Sequence, residues 1–247
     1  MPNHIHPTAS IGTRTDVGFN AVILENAVIG EGCRIGHGVV IHPDTVIGRG
    51  VRIDDNAVVG KSPMRSSLSA MTQQRKLDPC VIGDGCILGS MAVVYRGCRI
   101  GRGVMVADFA SIREDVEIGE LTIVGRGVAV ENKVKIGRKC KLETGSYITA
   151  LSGIEDGCFV APEVTFTNDN FVGRTAERFK FHKGVTLRRG ARVGANSTIL
   201  PRLTVGADAL VAAGSLVRRN VPARKIVAGA PAKIWRDVPK EQLLDNQ

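Results

Sequence analysis

An aliphatic residue recurs at every sixth position along most of this 247-residue chain. We call each of these repeated residues a head, because it begins a six-residue unit. The first run of heads extends from Ile5 to Val59, and the third from Leu187 to Val217. Between them, a run from residue 82 to residue 166 ends on an aromatic head. Because six is even, a head and the small residue four positions after it can face one interior. Three hexads make one triangular coil of 18 residues, and such coils stack through parallel strand pairing. The period therefore predicts an all-β parallel β-helix of about ten coils.

The cysteines follow the same period. Five of the six stand four residues after a head, at the small interior position, and only Cys80 lies outside this register: the five are Cys33, Cys86, Cys98, Cys140 and Cys158. A buried thiol at such a position behaves as a small hydrophobic side chain. The spacing therefore predicts neither a disulfide nor a bound metal.

Two long loops interrupt the repeat, at residues 60–80 and 167–186. Long insertions in a strict repeat are usually functional. Counting heads in threes places Val59 and Phe166, which precede the two loops, on the same face. We therefore expect both loops to project from one corner, separated by five coils or roughly 24 Å.

Polar residues follow the heads of that face. They are Arg113 and Glu114, Glu131 and Asn132, Thr149 and Ala150, and Thr167 and Asn168, followed by Asp169. Carboxylates in such a column could bind or deprotonate an amine, and the cations of the first loop, Lys61, Arg65, Arg75 and Lys76, could bind a phosphate. A solvated outer strand and ordinary solubility charges would produce the same residues.

The net charge of +9 is concentrated near the end of the chain. Residues 183–236 contain eleven basic residues and one acid, a net of +10, whereas the other 193 residues sum to −1. This distribution predicts a local anionic partner. Aromatic residues make up only 4% of the chain, which disfavours nucleic-acid binding by base stacking. No apolar stretch is long enough to span a membrane and no signal-peptide pattern is seen, so we expect a cytoplasmic protein.

Residues 5–221 resemble the hexapeptide-repeat, left-handed β-helix acyltransferase superfamily. The resemblance implies a left-handed helix and a homotrimer with active sites between neighbouring subunits. We expect one β-helix domain at residues 1–231, carrying both loops, and a tail at 232–247 with a short helix near 238–245.

Two segments are similar to bacterial nucleotide-sugar N-acetyltransferases: V-T-F-T-N-D-N at 164–170 and R-G-A-R-V-G-A-N at 189–196. The resemblance implies that an amine of a UDP- or dTDP-linked sugar attacks the acetyl-CoA thioester directly. Many of those enzymes carry Q-N-N where this chain has Glu143, Thr144 and Gly145. The candidate catalytic residues are Asn168, Asp169, Glu131 and His182, and the candidate substrate-binding residues are Glu114, Asn132, Arg113, Lys61 and Arg65.

A third segment looks like the coenzyme A strap of hexapeptide acetyltransferases: A-G-S-L-V at 213–217 and V-A-G-A-P-A-K at 227–233. The basic segment would then bind the phosphates of acetyl-CoA as co-substrate, with no metal. The candidate cofactor-binding residues are Asn196, Ala213, Gly214, Ser215, Arg218, Arg219, Lys225, Gly229 and Lys233.

Other functions remain open at this stage. An O-acetyltransferase of this superfamily would use a loop histidine as general base, and His182 is the local candidate. Residues 4–9 and 60–79 look similar to acyl-carrier-protein-dependent UDP-N-acetylglucosamine acyltransferases. His37 and His42 have the spacing of a γ-type carbonic anhydrase, whose third histidine would fall at Met1. A non-catalytic β-helix subunit is the remaining alternative.

Overall fold

The computed structural model describes residues 3–69 and 75–247, so part of the first loop, residues 70–74, lies outside the described residues. The chain forms a parallel β-helix of triangular section. Every predicted head lies in a strand of its own, which confirms the six-residue period.

The strands are short and evenly spaced. Before the first loop they are β1 (His4–Ile5), β2 (Ser10–Ile11), β3 (Asp16–Val17), β4 (Val22–Ile23), β5 (Val28–Ile29), β6 (Arg34–Ile35), β7 (Val40–Ile41), β8 (Val46–Ile47), β9 (Arg52–Ile53) and β10 (Val58–Lys61). Between the loops they are β11 (Val81–Ile82), β12 (Ile87–Leu88), β13 (Val93–Tyr95), β14 (Arg99–Ile100), β15 (Met105–Val106), β16 (Ser111–Ile112), β17 (Glu117–Ile118), β18 (Ile123–Val124), β19 (Ala129–Val130), β20 (Lys135–Ile136), β21 (Lys141–Leu142), β22 (Tyr147–Ile148), β23 (Gly153–Ile154), β24 (Phe159–Val160) and β25 (Thr165–Phe166). Helix α1 (Arg178–Phe181) lies in the second loop, and it is followed by β26 (Thr186–Leu187), β27 (Arg192–Val193), β28 (Thr198–Ile199), β29 (Thr204–Val205), β30 (Leu210–Val211), β31 (Leu216–Val217), β32 (Lys225–Ala228) and β33 (Lys233–Asp237).

These strands form three sheets, one for each face of the prism. Sheet A contains every third strand from β1 to β31, sheet B those from β2 to β29, and sheet C those from β3 to β30 followed by β32 and β33. The sheets have 11, 10 and 12 strands, compared with about ten coils predicted. Pairing is parallel throughout the repeat, and only the terminal β32–β33 hairpin is antiparallel among the described strands.

The interior is a single apolar column of heads and small residues. Heads such as Ile112, Val130 and Ile148 are fully buried, whereas Ile5 in the first coil is 42% exposed. All six cysteines are buried and free. Cys80 belongs to the repeat, contrary to the sequence prediction: it stands two residues before the head Ile82 and accepts a hydrogen bond from the Val46 amide. The first loop separates Cys80 from the preceding head, Val59, so its register can be counted only backwards from the following head, Ile82.

Each corner of the prism is named by the sheets it joins. Both loops leave from the A–B corner, the first after β10 and the second after β25, with five strand steps between them in sheet A. This confirms the predicted placement on one edge. The B–C corner is rich in glycine, and a Cβ on Gly119 would lie 2.6 Å from the backbone of Gly137 in the next coil.

A ladder of charges runs along the B–C corner, and we call it the charge ladder. It consists of the residues two positions after eight successive heads of sheet B: Glu31, Arg49, Asp84, Arg102, Glu120, Arg138, Asp156 and Arg189. The sign of the charge alternates at every step. Ion pairs join Arg49 to Asp84 at 3.3 Å and Arg102 to Glu120 at 3.5 Å, so neighbouring coils meet through opposite charges.

The chain ends on the side of the prism. Two 3-10 helices, Lys240–Gln242 and Leu244–Asn246, replace the single short helix predicted there. The Leu244 amide donates to Asp208 Oδ1 at 2.9 Å, and Arg189 pairs with Asp245 at 2.6 Å. These contacts hold the tail against the repeat in two separate turns. Within the described part of the chain, no helix has the length and apolar character needed to cross a membrane.

Candidate functional site

The side chains that follow the heads of sheet A form a continuous polar column along the A–B corner. It contains Tyr95 and Arg96, Arg113 and Glu114, Glu131 and Asn132, Thr149 and Ala150, and Thr167 and Asn168, all from successive coils. Parallel pairing without a register shift holds Ile112, Val130 and Ile148 side by side. The residues after these heads therefore stack at the strand spacing of about 4.8 Å.

A buried network lies at the centre of the polar column. Glu114 is only 4% exposed, and its carboxylate accepts hydrogen bonds from Arg113 Nε at 2.9 Å and from Asn132 Nδ2 at 3.2 Å. Asn132 is 2% exposed. Because a buried carboxylate is tolerated only when it is paired and hydrogen-bonded, Glu114 holds Arg113 and Asn132 in fixed positions.

Glu131 borders this network but has a different environment. Its nearest cation is Arg113, whose Nη1 lies 3.6 Å from Glu131 Oε2. Partial burial and the neighbouring Glu114 raise the pKa of Glu131, and Arg113 only partly opposes them. A carboxylate whose pKa is raised is a stronger base than an ordinary surface carboxylate.

The N-terminal end of the polar column is cationic. Lys61 Nζ lies 5.7 Å from the centre of the Tyr95 ring, and the Arg113 guanidinium lies 5.1 Å from it, so two cations contact one aromatic ring. Burial, Lys61 and Arg96 lower the pKa of His42 and thereby favour its neutral form. Arg65 is exposed in the first loop.

In the second loop, Asp169 acts as an anchor. Its carboxylate accepts hydrogen bonds from the amides of Phe171 at 2.8 Å and Gly173 at 3.0 Å, and from Arg178 Nη1 at 3.0 Å. Partial burial would raise the pKa of Asp169, but these amides, Arg178 and His182 lower it below its usual range.

His182 and Asn168 lie at the two ends of that loop. His182 Nε2 is 3.6 Å from Asp169 Oδ2, and the imidazole side chain is only 8% exposed. Asn168 immediately precedes Asp169, and the hydroxyl of Thr167 donates to the Ile199 carbonyl at 3.0 Å. The structure thus brings Asp169, His182 and Asn168 together at the C-terminal end of the polar column, and it places Glu131 two coils earlier.

The cofactor candidates fall on both edges of sheet A. Asn196, Ala213 and Gly214 lie on the C–A corner, opposite the polar column, and the backbone φ of Asn196 and Gly214 is positive. Ser215 is buried and its hydroxyl accepts from the Gly229 amide at 3.2 Å, which ties this corner to the turn between β32 and β33.

The basic candidates are distributed differently. Arg218 and Arg219 follow the last head of sheet A and therefore also lie at the A–B corner, where the apolar pair Leu200 and Pro201 separates them from the polar column. Lys233 and Arg219 help to line a cavity of about 320 Å³ beneath the terminal hairpin. Lys225 pairs with Asp237 across that hairpin.

Several residues of the site were not predicted. Tyr95 belongs to the polar column, Tyr147 lies beside the column in β22 of sheet A, and Arg178 pairs with Asp169. The two tyrosines could have been found by register, because 95 and 147 stand directly beside the heads 94 and 148. Arg178 carries no such signal, since its position depends on the fold of the loop.

The two histidines with carbonic-anhydrase spacing lie at different corners. His37 Nδ1 accepts a hydrogen bond from the Phe19 amide at 2.8 Å at the C–A corner, whereas His42 lies at the A–B corner. Among the residues that the structure describes, no group of three metal-ligating side chains occurs.

Known families share this repeat. The family described as bacterial transferase hexapeptide (six repeats) matches residues 26–61 and 97–132, and the hexapeptide repeat of succinyl-transferase matches residues 79–107. Among solved structures, an Arabidopsis UDP-N-acetylglucosamine acyltransferase superposes with a TM-score of 0.62 at 18% identity, covering 99% of this chain and 75% of that one. This likeness gives the left-handed β-helix fold.

Curated relatives match over shorter segments. Serine acetyltransferase of Buchnera aphidicola subsp. Acyrthosiphon pisum is 34% identical over 89 residues, which are 36% of this chain and 32% of that protein. The bifunctional protein GlmU of Zymomonas mobilis subsp. mobilis is 33% identical over 121 residues, which are 46% of this chain and 26% of that protein. The matched segments thus span about a third or less of these relatives.

Proposed function

Because this chain belongs to the hexapeptide-repeat proteins with a left-handed β-helix, we propose that it is an acyltransferase. In this proposal it moves an acetyl group from acetyl-CoA to the amino group of a nucleotide-linked aminosugar. The observation that carries the proposal is the polar column, in which a half-buried carboxylate of raised pKa, Glu131, stands beside a fixed Arg113–Glu114–Asn132 network. Relatives with matching segments include a serine acetyltransferase, which supports acyl transfer as the reaction class.

In the proposed reaction, the acceptor nitrogen attacks the carbonyl carbon of the thioester and a C–N bond forms. Glu131 takes the proton lost by the nitrogen, while backbone N–H groups or Asn168 donate to the oxyanion. The tetrahedral intermediate then collapses, the C–S bond breaks, and the sulfur of coenzyme A leaves as a thiol after taking up a proton. Asp169 and His182 remain alternative proton acceptors at the C-terminal end of the column.

The ends of the substrates are assigned by charge. Lys61 lies at the N-terminal end of the polar column, and Arg65 follows it in the first loop, so the diphosphate of a nucleotide sugar would meet positive charge there. Arg218, Arg219, Lys225 and Lys233 belong to the basic segment near the C-terminus, where the phosphates of coenzyme A would bind. Asn196, Ala213, Gly214, Ser215 and Gly229 would supply backbone and small side-chain contacts to its pantetheine arm.

The candidate contacts to the pantetheine arm at the C–A corner and the acceptor groups at the A–B corner lie on opposite edges of sheet A within one chain, so we propose that they meet between copies in a homotrimer. The outward positions of sheet A support this arrangement, because none of them is Asp, Glu, Lys or Arg: they are His4, Val22, Val40, Val58, Val93, Ser111, Ala129, Tyr147, Thr165, Thr198 and Leu216. Sheets B and C carry charges at the same positions, such as Arg99 and Arg34. A long uncharged face suits burial between subunits.

The test is a thiol-release assay with acetyl-CoA and a panel of UDP- and dTDP-linked aminosugars. We expect stoichiometric thiol release and N-acetylation with at least one member, and isothermal titration should show acetyl-CoA binding. Absence of acetyl-CoA binding would contradict the acetyltransferase function altogether.

A second candidate is O-acetylation, and one contact favours it. His182 Nε2 lies 3.6 Å from Asp169 Oδ2, and a carboxylate beside an imidazole can orient it as the base that a hydroxyl acceptor requires. The same panel should therefore include the matching hydroxyl sugars and an acyl-carrier-protein donor. Turnover of hydroxyl sugars alone would favour this second function.

A further inference from the structure

An exposed apolar patch lies on sheet C and at the C–A corner, away from the polar column. It consists of three outward residues of successive sheet C strands and two corner residues: Ile87, Met105, Ile123, Met91 and Phe109. Ile87 is 40% exposed, Met91 50% and Phe109 58%. Arg52 precedes and Lys141 follows these strands at the same outward position, so charged side chains bound the apolar patch. Contiguous exposed apolar side chains of this kind mark interaction sites.

The two corner residues of the apolar patch adopt an unusual backbone conformation. The φ of Met91 is 57° and that of Phe109 is 60°, in the left-handed region that bulky side chains rarely adopt. The other eight turns of the C–A corner have only glycine, asparagine or glutamate at this position: Asn20, Gly38, Asn56, Gly127, Gly145, Glu163, Asn196 and Gly214. Bulky apolar side chains that are strained and half exposed indicate a contact that the single chain does not contain.

The first loop carries apolar side chains that also lack a covering surface. Met64 is 70% exposed and Leu68 is 91% exposed, so both remain in water in the single chain. The return of the loop to the prism is fixed at the A–B corner, where Arg75 pairs with Asp115. Leu68 follows the end of β10 by seven residues, so it can extend at most roughly 23 Å from that corner. The loop can therefore reach a surface that adjoins the A–B corner.

Rotational symmetry brings the first loop and the apolar patch to the same height. A rotation about an axis parallel to the prism leaves height unchanged, so equal coils of neighbouring subunits face each other. In the proposed homotrimer, the A–B corner of one subunit adjoins the C–A corner of the next. The loop leaves after β10, and Met91 lies in the turn after β12 of the same coil. Met91 and Phe109 also precede β13 and β16 of sheet A, so the patch continues the uncharged face between subunits.

The charges around the two surfaces are complementary. Residues 60–80 contain four cations and one acid, a net of +3. The corner turns beside the apolar patch hold three carboxylates, Asp54, Asp55 and Asp108, and among the described residues only Asp54 pairs with a cation. Opposite charges at the borders favour contact of the loop with the patch over contact between two loops or two patches.

Resting on the homotrimer of the proposed function, we infer that the first loop of each subunit is a latch on its neighbour. Met64 and Leu68 pack on the apolar patch of the next subunit, beside Met91 and Phe109. The contact removes from water apolar groups that are exposed in the single chain. It also fixes the loop in the cleft between subunits, next to Lys61 at the N-terminal end of the polar column. The acceptor end of the site thus depends on a second copy of the chain.

Cross-linking between introduced cysteines tests the latch. All six native cysteines are buried, so a bis-maleimide reagent should report on the introduced thiols. We expect Leu68→Cys with Phe109→Cys to form covalent dimers and trimers about tenfold faster than Leu68→Cys with Phe19→Cys. Phe19 is a matched control, because it is 69% exposed on the same corner but lies four coils away, roughly 19 Å along the prism.

A second measurement removes part of the apolar patch without straining the fold. Asparagine occupies the same turn position at Asn56, so Phe109→Asn suits the left-handed backbone and should keep the circular dichroism of the wild type. Trypsin should cleave this variant at Arg65 about tenfold faster than the wild-type protein, because loss of the apolar contact releases the loop. Phe19→Asn is the control and should leave the cleavage rate unchanged.

The outcomes separate the latch from the function on which it rests. Equal cross-linking rates for the two cysteine pairs, in a protein that sediments as a trimer, overturn the latch and leave the homotrimer and the acetyl transfer intact. A cross-link confined to one chain overturns the latch as well, because the loop would then cover its own patch. A monomer that acetylates an aminosugar overturns the latch and the homotrimer but not the reaction. Preferential cross-linking without acetyl-CoA binding supports the latch and contradicts the function.

Discussion

Glu131 and Glu114 occupy successive coils of the polar column, yet their surroundings suit them to different roles. Glu114 is held by Arg113 and Asn132, and its contacts suit a fixed structural anion. Glu131 has Arg113 only at 3.6 Å, and burial together with Glu114 raises its pKa. Two carboxylates with different environments commonly divide the tasks of positioning and proton transfer. We assign proton transfer to Glu131 on this basis.

Glu131→Gln tests that assignment through the rate and its pH dependence. Because the pKa of Glu131 is raised, the wild-type activity should fall as the pH drops through that pKa and the carboxylate becomes protonated. The variant should lose about 100-fold or more in kcat and lose this acidic limb. Glu117→Gln, an exposed position of sheet B, is the control. A variant with full kcat would assign proton transfer elsewhere.

The same substitution has an expected effect on stability. A carboxyl whose pKa is higher in the folded protein than in the unfolded chain binds its proton more tightly when folded, so its contribution to stability decreases as the pH rises through that interval. Above the raised pKa of Glu131, Glu131→Gln should therefore unfold at a higher temperature than the wild type, and the difference should shrink at acidic pH. Calorimetric melts across pH measure this. A lower melting temperature at neutral pH would contradict it.

At the scale of the elements, the corners decide how closely the coils approach. A Cβ on Gly119 would meet the backbone of Gly137 and Arg138 at 2.6–2.7 Å. By contrast, a Cβ on Gly153, at an outward position of β23, would meet no atom within 4 Å. Glycine is thus required at the corner and is incidental in the strand.

Gly119→Ala and Gly153→Ala form a matched pair for this point. We expect the first to destabilise the protein by about 1–3 kcal/mol, because backbone of the next coil must shift. The second should be neutral or slightly stabilising, since alanine restricts the unfolded chain. Urea unfolding of both variants checks the prediction, and equal stabilities would show that the corner can relax without cost.

The second loop is organised around Asp169 rather than around a regular element. Its carboxylate accepts from two loop amides and from Arg178, and α1 has only four residues. Asp169→Asn should therefore loosen the loop and speed tryptic cleavage at its arginine and lysine residues. Glu177→Gln, an exposed substitution in the same loop, should not. Unchanged cleavage of Asp169→Asn would mean that the loop is held by its aromatic contacts instead.

For the whole molecule, the separation of the pantetheine-arm candidates at the C–A corner from the acceptor groups at the A–B corner makes a quantitative prediction. Glu131→Gln would disable the acceptor edge, and Ala213→Trp would obstruct the donor edge at the C–A corner. In randomly mixed trimers, one site in four would combine two intact edges from neighbouring subunits, so about a quarter of the wild-type activity should return. Mixtures that remain inactive would place the complete site within one chain.

A six-residue period predicts the position of a strand and the burial of its side chains, but not the fold of irregular segments. The six-residue repeat predicted the strands β1 to β31 and the common corner of the two loops, because the head and the small residue of each hexad determine burial. It did not predict β32 and β33, which follow the last head. It misplaced Cys80, which is buried in the repeat but is separated from the preceding head, Val59, by the first loop. It also gave no indication of the Asp169–Arg178 pair, since nine residues of irregular chain bring those groups together. The C-terminal tail was predicted as one helix for a similar reason. Its two short 3-10 helices are held by contacts with Asp208 and Arg189, which a sequence period does not reveal.

The charge ladder on the B–C corner has a consequence for the length of the molecule. Its signs alternate from Glu31 to Arg189, with one charge in each coil. Deleting one 18-residue coil would bring two like charges together, such as Asp84 and Glu120, whereas deleting two adjacent coils would restore an opposite pair. Inserting coils has the same effect: one added coil would place two like charges side by side, whereas two added coils would keep the alternation. The protein can therefore be shortened or extended in steps of 36 residues more readily than in steps of 18, and even-numbered changes are the natural unit for engineering it.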